Sequence, residues 1–571
     1  MLDLVIRGGQ VVDGTGTPGR RADVGVRDGR VVAIGDIDEA ASRTIDADGH
    51  IVAPGFVDIH THYDAQILWD SAATPSPLHG VTTVVGGNCG FTIAPVEPSE
   101  TDYLTRMLAR VEGMPLESLL AGVPYNWRSF GEYLDRIDGN IAVNAGFLVG
   151  HSAIRRCVMH DDAVGNEASD EQIAAMCTLL AESIAGGGLG FSSSQATTHN
   201  DADGDPVPSR SATPAELIAL ARTAGEHAGT TLEFIPAVGG FEQKHIELMA
   251  NMSQAANRSL NWNVLVPNSG RADAAWEMLG ASDYAADHGG KVLGLTVPDT
   301  MRTHITFKAG FILDALPGWR KAMALPVPEK MKLLADPVER ARLEEGAQSP
   351  EAGILRGIAR WDLLTIVETF SSENAGLSGR TVADIAKERG QKPFDALLDI
   401  VLLDELRTVL MPPLAGDDQA SWELRRDVWR DPRAVVGASD AGAHLDMLST
   451  FNYSTAMLRS ARDRNLMPVE EVISLLTDRQ ARLYGIKERG RIAEGWHADF
   501  VIFDPERVGP GPVSWRNDLP AGAGRLYGEA VGVAHVIVNG TEIVHDNQLT
   551  GERPGTLLRS GRDTETVTAT G

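Results

Sequence analysis

The chain has 571 residues, of which 43% are hydrophobic and 23% charged, as is typical of globular proteins with a large buried core. Its net charge of −27 argues against a nucleic-acid partner, because such proteins need a basic face. The three cysteines are too few for a disulfide framework and favour a reducing cytoplasm, and no apolar run reaches the roughly 20 residues that span a membrane.

Short strands separated by turns are predicted at both ends of the chain. Before residue 54, apolar stretches such as 24–26 and 31–34 are bounded by glycine or aspartate, and the same style returns after Gly485. We therefore expect residues 1–53 and 486–550 to form one small β-sandwich domain. The remaining tail, 551–571, is rich in Gly, Arg and Thr and is expected to be extended or loose.

Between residues 54 and 485, continuous apolar strands alternate with amphipathic helices. The predicted strands include 81–85, 141–149, 189–192, 230–235, 260–266, 292–297 and 435–438. This alternation is typical of a parallel sheet buried on both faces, and about eight strands indicate a closed barrel. The predicted fold class is therefore α/β, a (β/α)8 TIM-like barrel with the small β-sandwich domain attached. The charged helical stretch near 307–350 is interpreted as an insertion in the barrel.

The first barrel strand ends in two histidines. His60 and His62 follow the apolar stretch 51–56, and residues two apart on a strand point to the same side. Because the carboxyl ends of barrel strands form the active-site face, the two imidazoles are placed to bind a divalent ion such as Zn2+. The alternative is a pair of surface histidines on a loop. The buried strand that precedes them, opened by Pro54 and Gly55, favours the metal site.

Two further strand ends carry reactive side chains. Cys89 follows the strand 81–85, and the glycines around it let a metal ion approach the backbone closely. The alternative is a buried structural cysteine, which is the usual case for a lone thiol. Asp440 follows the strand 435–438 and could act as general base toward water and then as general acid toward the leaving amine. Its alternative is a helix cap.

Taken together, these motifs resemble the amidohydrolase superfamily, specifically its D-aminoacylase (N-acyl-D-amino-acid deacylase) branch. The resemblance covers nearly the whole chain and is carried by the segments 6–14, 54–62, 80–90, 150–155, 489–500 and 538–540. The segment around Asn88-Cys89-Gly90 is what points to the deacylase branch.

The resemblance implies a zinc enzyme, with one or two ions, that hydrolyses the amide bond of an N-acyl-D-amino acid by metal-activated water. It implies that His60 and His62 lie on the first barrel strand and Cys89 on the second. It also implies that Asp440 lies on the eighth strand and acts as general base, then general acid.

The match breaks on the fifth and sixth barrel strands, where the family places one histidine each. The segments 230–236 and 260–265 contain none, and the lysine that normally follows the sixth-strand histidine is missing as well. The first explanation is replacement by oxygen ligands, reasonable for Glu233 and weaker for Asn263. The second is supply from loops by His151, His199 or His444. The third is that the chain has lost its metal. Of the three we choose the first, with Glu233 as the ligand.

Two residues are predicted to bind the small-molecule substrate. Arg210 could hold a substrate carboxylate with its planar guanidinium, or it could be an ordinary surface arginine. His151 could orient the substrate or hydrogen-bond a metal ligand from behind, or it could structure a loop. The alternatives to a deacylase are a hydrolase of cyclic amides or esters and a non-catalytic binding protein on the same barrel. The sequence leaves the oligomeric state open, including a homo-oligomer.

Overall fold

The structure is a computed structural model that describes residues 1–414 and 416–570, apart from the side chain of Ile354. The chain begins with five strands joined by short turns: β1 (Leu2–Val11), β2 (Arg20–Arg27), β3 (Arg30–Gly35), β4 (Ala41–Asp46) and β5 (Ile51–Pro54). Strand β1 pairs antiparallel with β2 and parallel with β4 and β5. These strands begin the small β domain.

Parallel strands then form the barrel. In chain order they are β6 (Phe56–Asp58), β7 (Val81–Gly86), β8 (Asn144–Phe147), β9 (Val149–Gly150), β10 (Gly190–Ser194), β11 (Thr231–Ile235), β12 (Ser259–Leu265) and β13 (Lys291–Thr296), followed by the insertion strands β14 (Thr365–Glu368) and β15 (Val409–Met411) and by the last barrel strand β16 (Ala434–Val436). Strands β8 and β9 make one barrel position that is interrupted at Leu148. Thr61 bridges in parallel to Ala441, which joins the first and last positions. The predicted barrel is therefore confirmed.

Helices surround the barrel and fill the insertion. Around the first seven barrel strands they are α1 (Thr101–Val111), α2 (Leu116–Gly122), α3 (Phe130–Ile137), α4 (His151–Met159), α5 (Asp170–Ala185), α6 (Pro214–Gly225), α7 (Gln243–Ala256) and α8 (Ala272–Asp287). The insertion holds α9 (Arg320–Met323), α10 (Val327–Ala335), α11 (Pro337–Gln348), α12 (Val382–Arg389) and α13 (Pro393–Leu403). The others are α14 (Gln419–Arg430), α15 (Tyr453–Asp463), α16 (Val469–Leu476) and α17 (Asp478–Leu483). None of the helices in the described ranges is long and apolar enough to cross a membrane.

The insertion between β13 and β16 is larger than the predicted stretch 307–350. It has an apolar core of its own, built from Ile305, Trp319, Trp361, Phe394, Leu410 and their neighbours. The sequence pattern marked only its charged helices, because the later helix α13 is as apolar as a barrel helix. The insertion is thus a separately packed subdomain on the carboxyl face of the barrel.

The end of the chain returns to the β domain. Its strands are β17 (Phe500–Phe503), β18 (Gly509–Arg516), β19 (Arg525–Val531), β20 (Val533–Val538), β21 (Thr541–His545) and β22 (Gln548–Leu549). Strand β17 pairs antiparallel with both β5 and β20, so the two ends of the chain share one sheet, of nine strands within the described residues. Apolar side chains such as Val24, Ile45, Phe500 and Ile537 form the core on this sheet.

The carboxyl-terminal segment packs against the barrel, so the expectation of a loose tail is wrong. Leu557 and Leu558 are buried, and Leu557 bridges in parallel to Ala145 next to the third barrel position. Arg559 donates to the carbonyl of Gly186 and pairs with Asp135. The Gly- and Arg-rich composition suggested disorder, but two adjacent leucines supply enough apolar surface to anchor the segment.

Candidate metal centre

Three buried donor groups converge where β6 and β7 end. The Sγ atom of Cys89 lies 3.5 Å from Nε2 of His60 and 3.9 Å from Nε2 of His62. The ligand atoms of all three residues lie within 4.8 Å of one another, and the residues are at most 5% exposed. Two imidazoles and a thiol are the donors that a borderline-soft divalent ion such as Zn2+ prefers. The residues present therefore fit such an ion.

A sharp turn after β7 brings Cys89 back toward the histidines. Gly87 and Cys89 have φ of 75° and 58°, in the left-handed region. A Cβ on Gly87 would lie 2.2 Å from the carbonyl oxygen of Leu148, so only glycine fits there. The glycine two residues before the cysteine is thus required by the close approach of two backbones.

Asp440 lies on the open side of the centre. Its Oδ1 is 3.1 Å from Nε2 of His60 and 3.6 Å from Nε2 of His62. Burial opposes its ionisation, but the hydrogen bonds from both histidines outweigh this effect and hold its pKa well below the usual range. Its side chain is 26% exposed, whereas His60 is 2% exposed. Asp440 is therefore an ionised group that a bound molecule can reach.

The prediction from sequence missed Glu112, which lies behind His62. Its Oε1 is 3.3 Å from Nδ1 of His62, and it is 2% exposed. Burial opposes the charged form of His62, but Glu112 and Asp440 outweigh it and raise the pKa of His62 to about 9. A carboxylate behind a ligand imidazole fixes the ring and leaves Nε2 for the metal. The signal that could have found Glu112 is its place just after α1, where the helix dipole disfavours an acid.

Glu233 reaches the same centre from β11. Its Oε2 accepts a 2.7 Å hydrogen bond from the backbone N–H of Cys89, and its Oε1 accepts from Nδ2 of Asn263 on β12. Burial raises the pKa of Glu233 to about 8. The three converging donors do not include Glu233, although it touches one of them. Within the described residues, Oδ1 of Asn263 is buried and has no hydrogen-bond partner.

The loop histidines border the centre. His199 contacts Ser194 through Nδ1 at 2.8 Å and packs edge-on against Phe91. His444 packs against Phe311 of the insertion, with ring centroids 4.5 Å apart. Burial lowers the pKa of His199 to about 3 and that of His444 to about 4. Both are neutral rings beside the converging donors and not among them.

The geometry corrects the substrate-binding prediction for His151. This side chain is fully buried, with Nδ1 2.8 Å from the hydroxyl of Ser193 and Nε2 2.8 Å from Oε1 of Glu216. Arg155 also donates to Glu216. Because both ring nitrogens are occupied, His151 ties β10 to α6 instead of meeting a ligand. The sequence could not show this, since Glu216 is an ordinary first-turn acid of α6 until the helix is packed.

Arg210 lies beside the loop that carries His199. Its Nη1 donates to the carbonyl of His199 at 3.1 Å and to Oδ1 of Asn200 at 2.8 Å. Its charge also contributes to the lowered pKa of His199, after burial and the neighbouring imidazoles of His444 and His62. The guanidinium is partly buried at the edge of the centre.

A cavity of about 670 Å³ lies between the insertion and the β18–β19 hairpin. Its walls carry both charges, with Arg302, Arg407 and Arg459 facing Asp299 and Glu368. Among the described residues that line it, none is a donor of the metal centre.

Residues 43–544 match the amidohydrolase family. The chain belongs to the amidohydrolase family. It is similar to D-aminoacylase of Alcaligenes xylosoxydans xylosoxydans, with 29% identity over 98% of this chain and 97% of that protein. It is also 28% identical to N-acyl-D-glutamate deacylase of the same organism, over 98% of this chain and 96% of that protein. The resemblance predicted from the motifs is confirmed.

Solved structures of deacylases are also similar to this amidohydrolase. N-acyl-D-glutamate deacylase from Bordetella bronchiseptica, crystallised with zinc and a phosphonate that mimics the tetrahedral intermediate, superposes with a TM-score of 0.65 and 26% identity. The match covers 98% of this chain and 100% of that chain. A crystal structure of D-aminoacylase matches with the same TM-score and coverage at 25% identity. The barrel and the β domain are thus shared over the full length.

Proposed function

We propose that this amidohydrolase cleaves the amide bond of a small N-acyl-D-amino acid at a metal centre held by His60, His62, Cys89 and Glu233. The observation that carries the proposal is the buried convergence of two imidazoles and a thiol beside the reachable carboxylate of Asp440. The deacylase relatives, which align along nearly the whole chain, support the substrate class.

Zn2+, as one or two ions, suits this set of donors. When bound, it polarises the substrate carbonyl and makes water a better nucleophile at neutral pH. Burial, followed by the charge of Glu233, raises the pKa of the Cys89 thiol, so the dry site favours the neutral thiol until a cation compensates. Glu233 can serve as an oxygen ligand through the lone pairs that its two hydrogen bonds leave free.

Asp440 moves the proton in this proposal. Its ionised Oδ1 faces the two histidine Nε2 atoms, so it can take a proton from the attacking water. It can then deliver that proton to the leaving amine. Glu112 holds the ring of His62 from behind, and the buried positions of His60 and Cys89 keep bulk water away from the reaction. Arg210 is proposed to bind the substrate carboxylate with its guanidinium.

The first test is metal content by elemental analysis of untagged protein. Wild type is compared with Cys89→Ala and with Cys177→Ala, a matched control at a half-buried thiol on α5. The proposal expects Cys89→Ala to contain at least one equivalent of zinc less than both others. Equal metal in all three proteins, after zinc has been supplied, contradicts the metal centre and favours a non-catalytic binding protein.

The second test is a panel of substrates on the zinc-loaded protein. It contains N-acetyl-D-amino acids, their L-enantiomers, hydantoins and simple esters. Hydrolysis of the D-compounds above all others supports the proposed function. Turnover confined to hydantoins or esters would instead assign the centre to cyclic amides or esters.

A further inference from the structure

A second cluster of metal-binding side chains lies in the β domain, on the hairpin β20–β21. It consists of His535, Glu542 and His545, whose ligand atoms lie within 4.8 Å of one another. We propose that these three residues bind a divalent transition-metal ion, most suitably Zn2+, at a site separate from the barrel centre. The ion would act as a structural clamp on the last hairpin.

All three donors face one point. Nδ1 of His535 is 2.5 Å and Nδ1 of His545 is 3.1 Å from Oε1 of Glu542, and the two nitrogens are 3.2 Å apart. A tetrahedral zinc ion with bonds of about 2.1 Å separates its ligands by about 3.4 Å. The three atoms are therefore within a few tenths of an ångström to about 1 Å of the spacing that an ion requires.

The hairpin itself produces this arrangement. His535 and His545 are direct partners across the antiparallel pair, and a register irregularity after Val536 brings Glu542 to the same place. The connecting turn at Asn539 and Gly540 has φ of 48° and 78°, which fixes the register. Because cross-strand neighbours keep their spacing, the site is preorganised by the backbone.

Charge and exposure suit a cation that arrives from solvent. Glu542 is 7% exposed, and burial opposes its ionisation, but His535 and Arg43 outweigh this and lower its pKa to about 2. Arg43 of β4 pairs with Oε2, which leaves Oε1 for the ion. His545 is 55% exposed, so water can complete the coordination. Two nitrogen donors favour zinc, copper or nickel over magnesium or calcium.

The positive charge of Arg43 opposes a cation and sets a limit on the affinity. It also gives the ion a structural purpose, because Arg43 and Glu542 already connect β4 to β21. An ion bound to Oε1 of Glu542 would also link His535 of β20 and His545 of β21 to this ion pair. The expected consequence is a more stable β domain, since an ion that binds the folded state alone shifts unfolding in its favour.

The test uses full-length, untagged Cys89→Ala protein, stripped with a chelator and then titrated with Zn2+. This background separates the hairpin from the barrel centre, so the outcome is independent of the proposed function. We expect Cys89→Ala to bind one equivalent of Zn2+ at the hairpin. The triple variant, which also carries His535→Ala and His545→Ala, should bind none there. His288→Ala, at an exposed histidine on the end of α8, is the matched control and should retain the ion.

Two further measurements distinguish the sites. Added Zn2+ should raise the Tm of Cys89→Ala and leave that of the variant lacking both hairpin histidines unchanged. Co2+ at the hairpin should show visible absorption without the sulfur-to-cobalt charge-transfer band that a thiolate ligand gives. Stoichiometry that is identical with and without the two histidines would overturn the proposal, as would a zinc-induced rise in Tm that survives their removal.

Discussion

The side of the metal centre built by β6 and β7 presents three donor groups that converge on one point, whereas the side built by β11 and β12 presents a carboxylate hydrogen-bonded to an amide. On the first side, His60, His62 and Cys89 converge around one point. On the second, Glu233 accepts hydrogen bonds from Asn263 and from the backbone of Cys89. Both sides are buried, so the difference is one of partners and not of access.

Because of this difference, the centre can tolerate altered residues on one side. A carboxylate has more lone pairs than an imidazole, so Glu233 can brace the Cys89 turn and still offer an oxygen to a cation. Glu233, which differs from the family pattern, is therefore hydrogen-bonded to Cys89, which keeps it.

Replacing Asp440 with asparagine removes the proton acceptor and leaves the donors of both sides in place. We expect kcat for an N-acyl-D-amino acid to fall by about 10²–10⁴-fold, the usual contribution of general acid–base catalysis. Metal content should stay at the wild-type value. Steady-state kinetics with elemental analysis of the same sample checks this, and a loss of metal in Asp440→Asn would show that the carboxylate is chiefly a ligand.

Glu233→Gln tests the second side directly. The amide oxygen can still accept from Cys89, and the unpartnered Oδ1 of Asn263 can accept from the new NH2 group if Asn263 turns over. The fold should therefore persist while the charge is lost. Loss of a residue that only supports a ligand lowers metal affinity about 10–100-fold, and we expect Glu233→Gln to lower zinc affinity by at least that much, because a charged ligand becomes neutral. Competition with a chromogenic chelator measures this affinity. If the zinc affinity is unchanged, Glu233 is not a ligand and only stabilises the turn at Cys89.

Arg210 tests whether the loop bordering the centre binds the substrate carboxylate. Arg210→Ala should raise KM about 10-fold or more, because hydrogen bonds to charged groups contribute about 1.5–3 kcal/mol, with little change in kcat. The matched control is Arg222→Ala, at an exposed arginine on α6. If both variants keep the wild-type KM, the carboxylate is bound elsewhere.

His79 lies just before β7, the strand that leads to Cys89. It lies buried between the hydroxyl of Thr455 and the carbonyl of Gly528, and burial lowers its pKa from 6.5 to about 4. Between these values the unfolded chain takes up a proton that the folded chain does not. Stability is therefore complete above pH 6.5 and falls as the pH approaches 4, by at most about 1.4 kcal/mol per pH unit.

The check is urea unfolding between pH 7 and 4.5 in chelator-treated Cys89→Ala protein, so that metal release does not contribute. Adding His79→Gln should make the decline of the unfolding free energy with falling pH shallower, by the slope that corresponds to the uptake of about one proton. An equally steep decline in both proteins would place the acid sensitivity in other groups.

Local patterns in the sequence were enough to predict the barrel and half of the centre. Apolar strands alternating with helices require a buried parallel sheet, and polar residues directly after such strands must lie at its carboxyl edge. His60, His62, Cys89 and Asp440 were predicted because each lies within a few residues of a recognisable strand end, and for Cys89 the resemblance to the family carried most of the argument. The first three residues follow the ends of two neighbouring strands.

Tertiary structure decided what these local patterns do not contain. Glu112 faces His62 only after α1 has packed over the barrel, and Glu216 occupies His151 only after α6 has docked. The hydrogen bond between Glu233 and Cys89 joins residues 144 positions apart. Periodicity and spacing describe how a segment folds, but the partners of a buried polar group are set by which segments meet, and that depends on the packing of the whole chain.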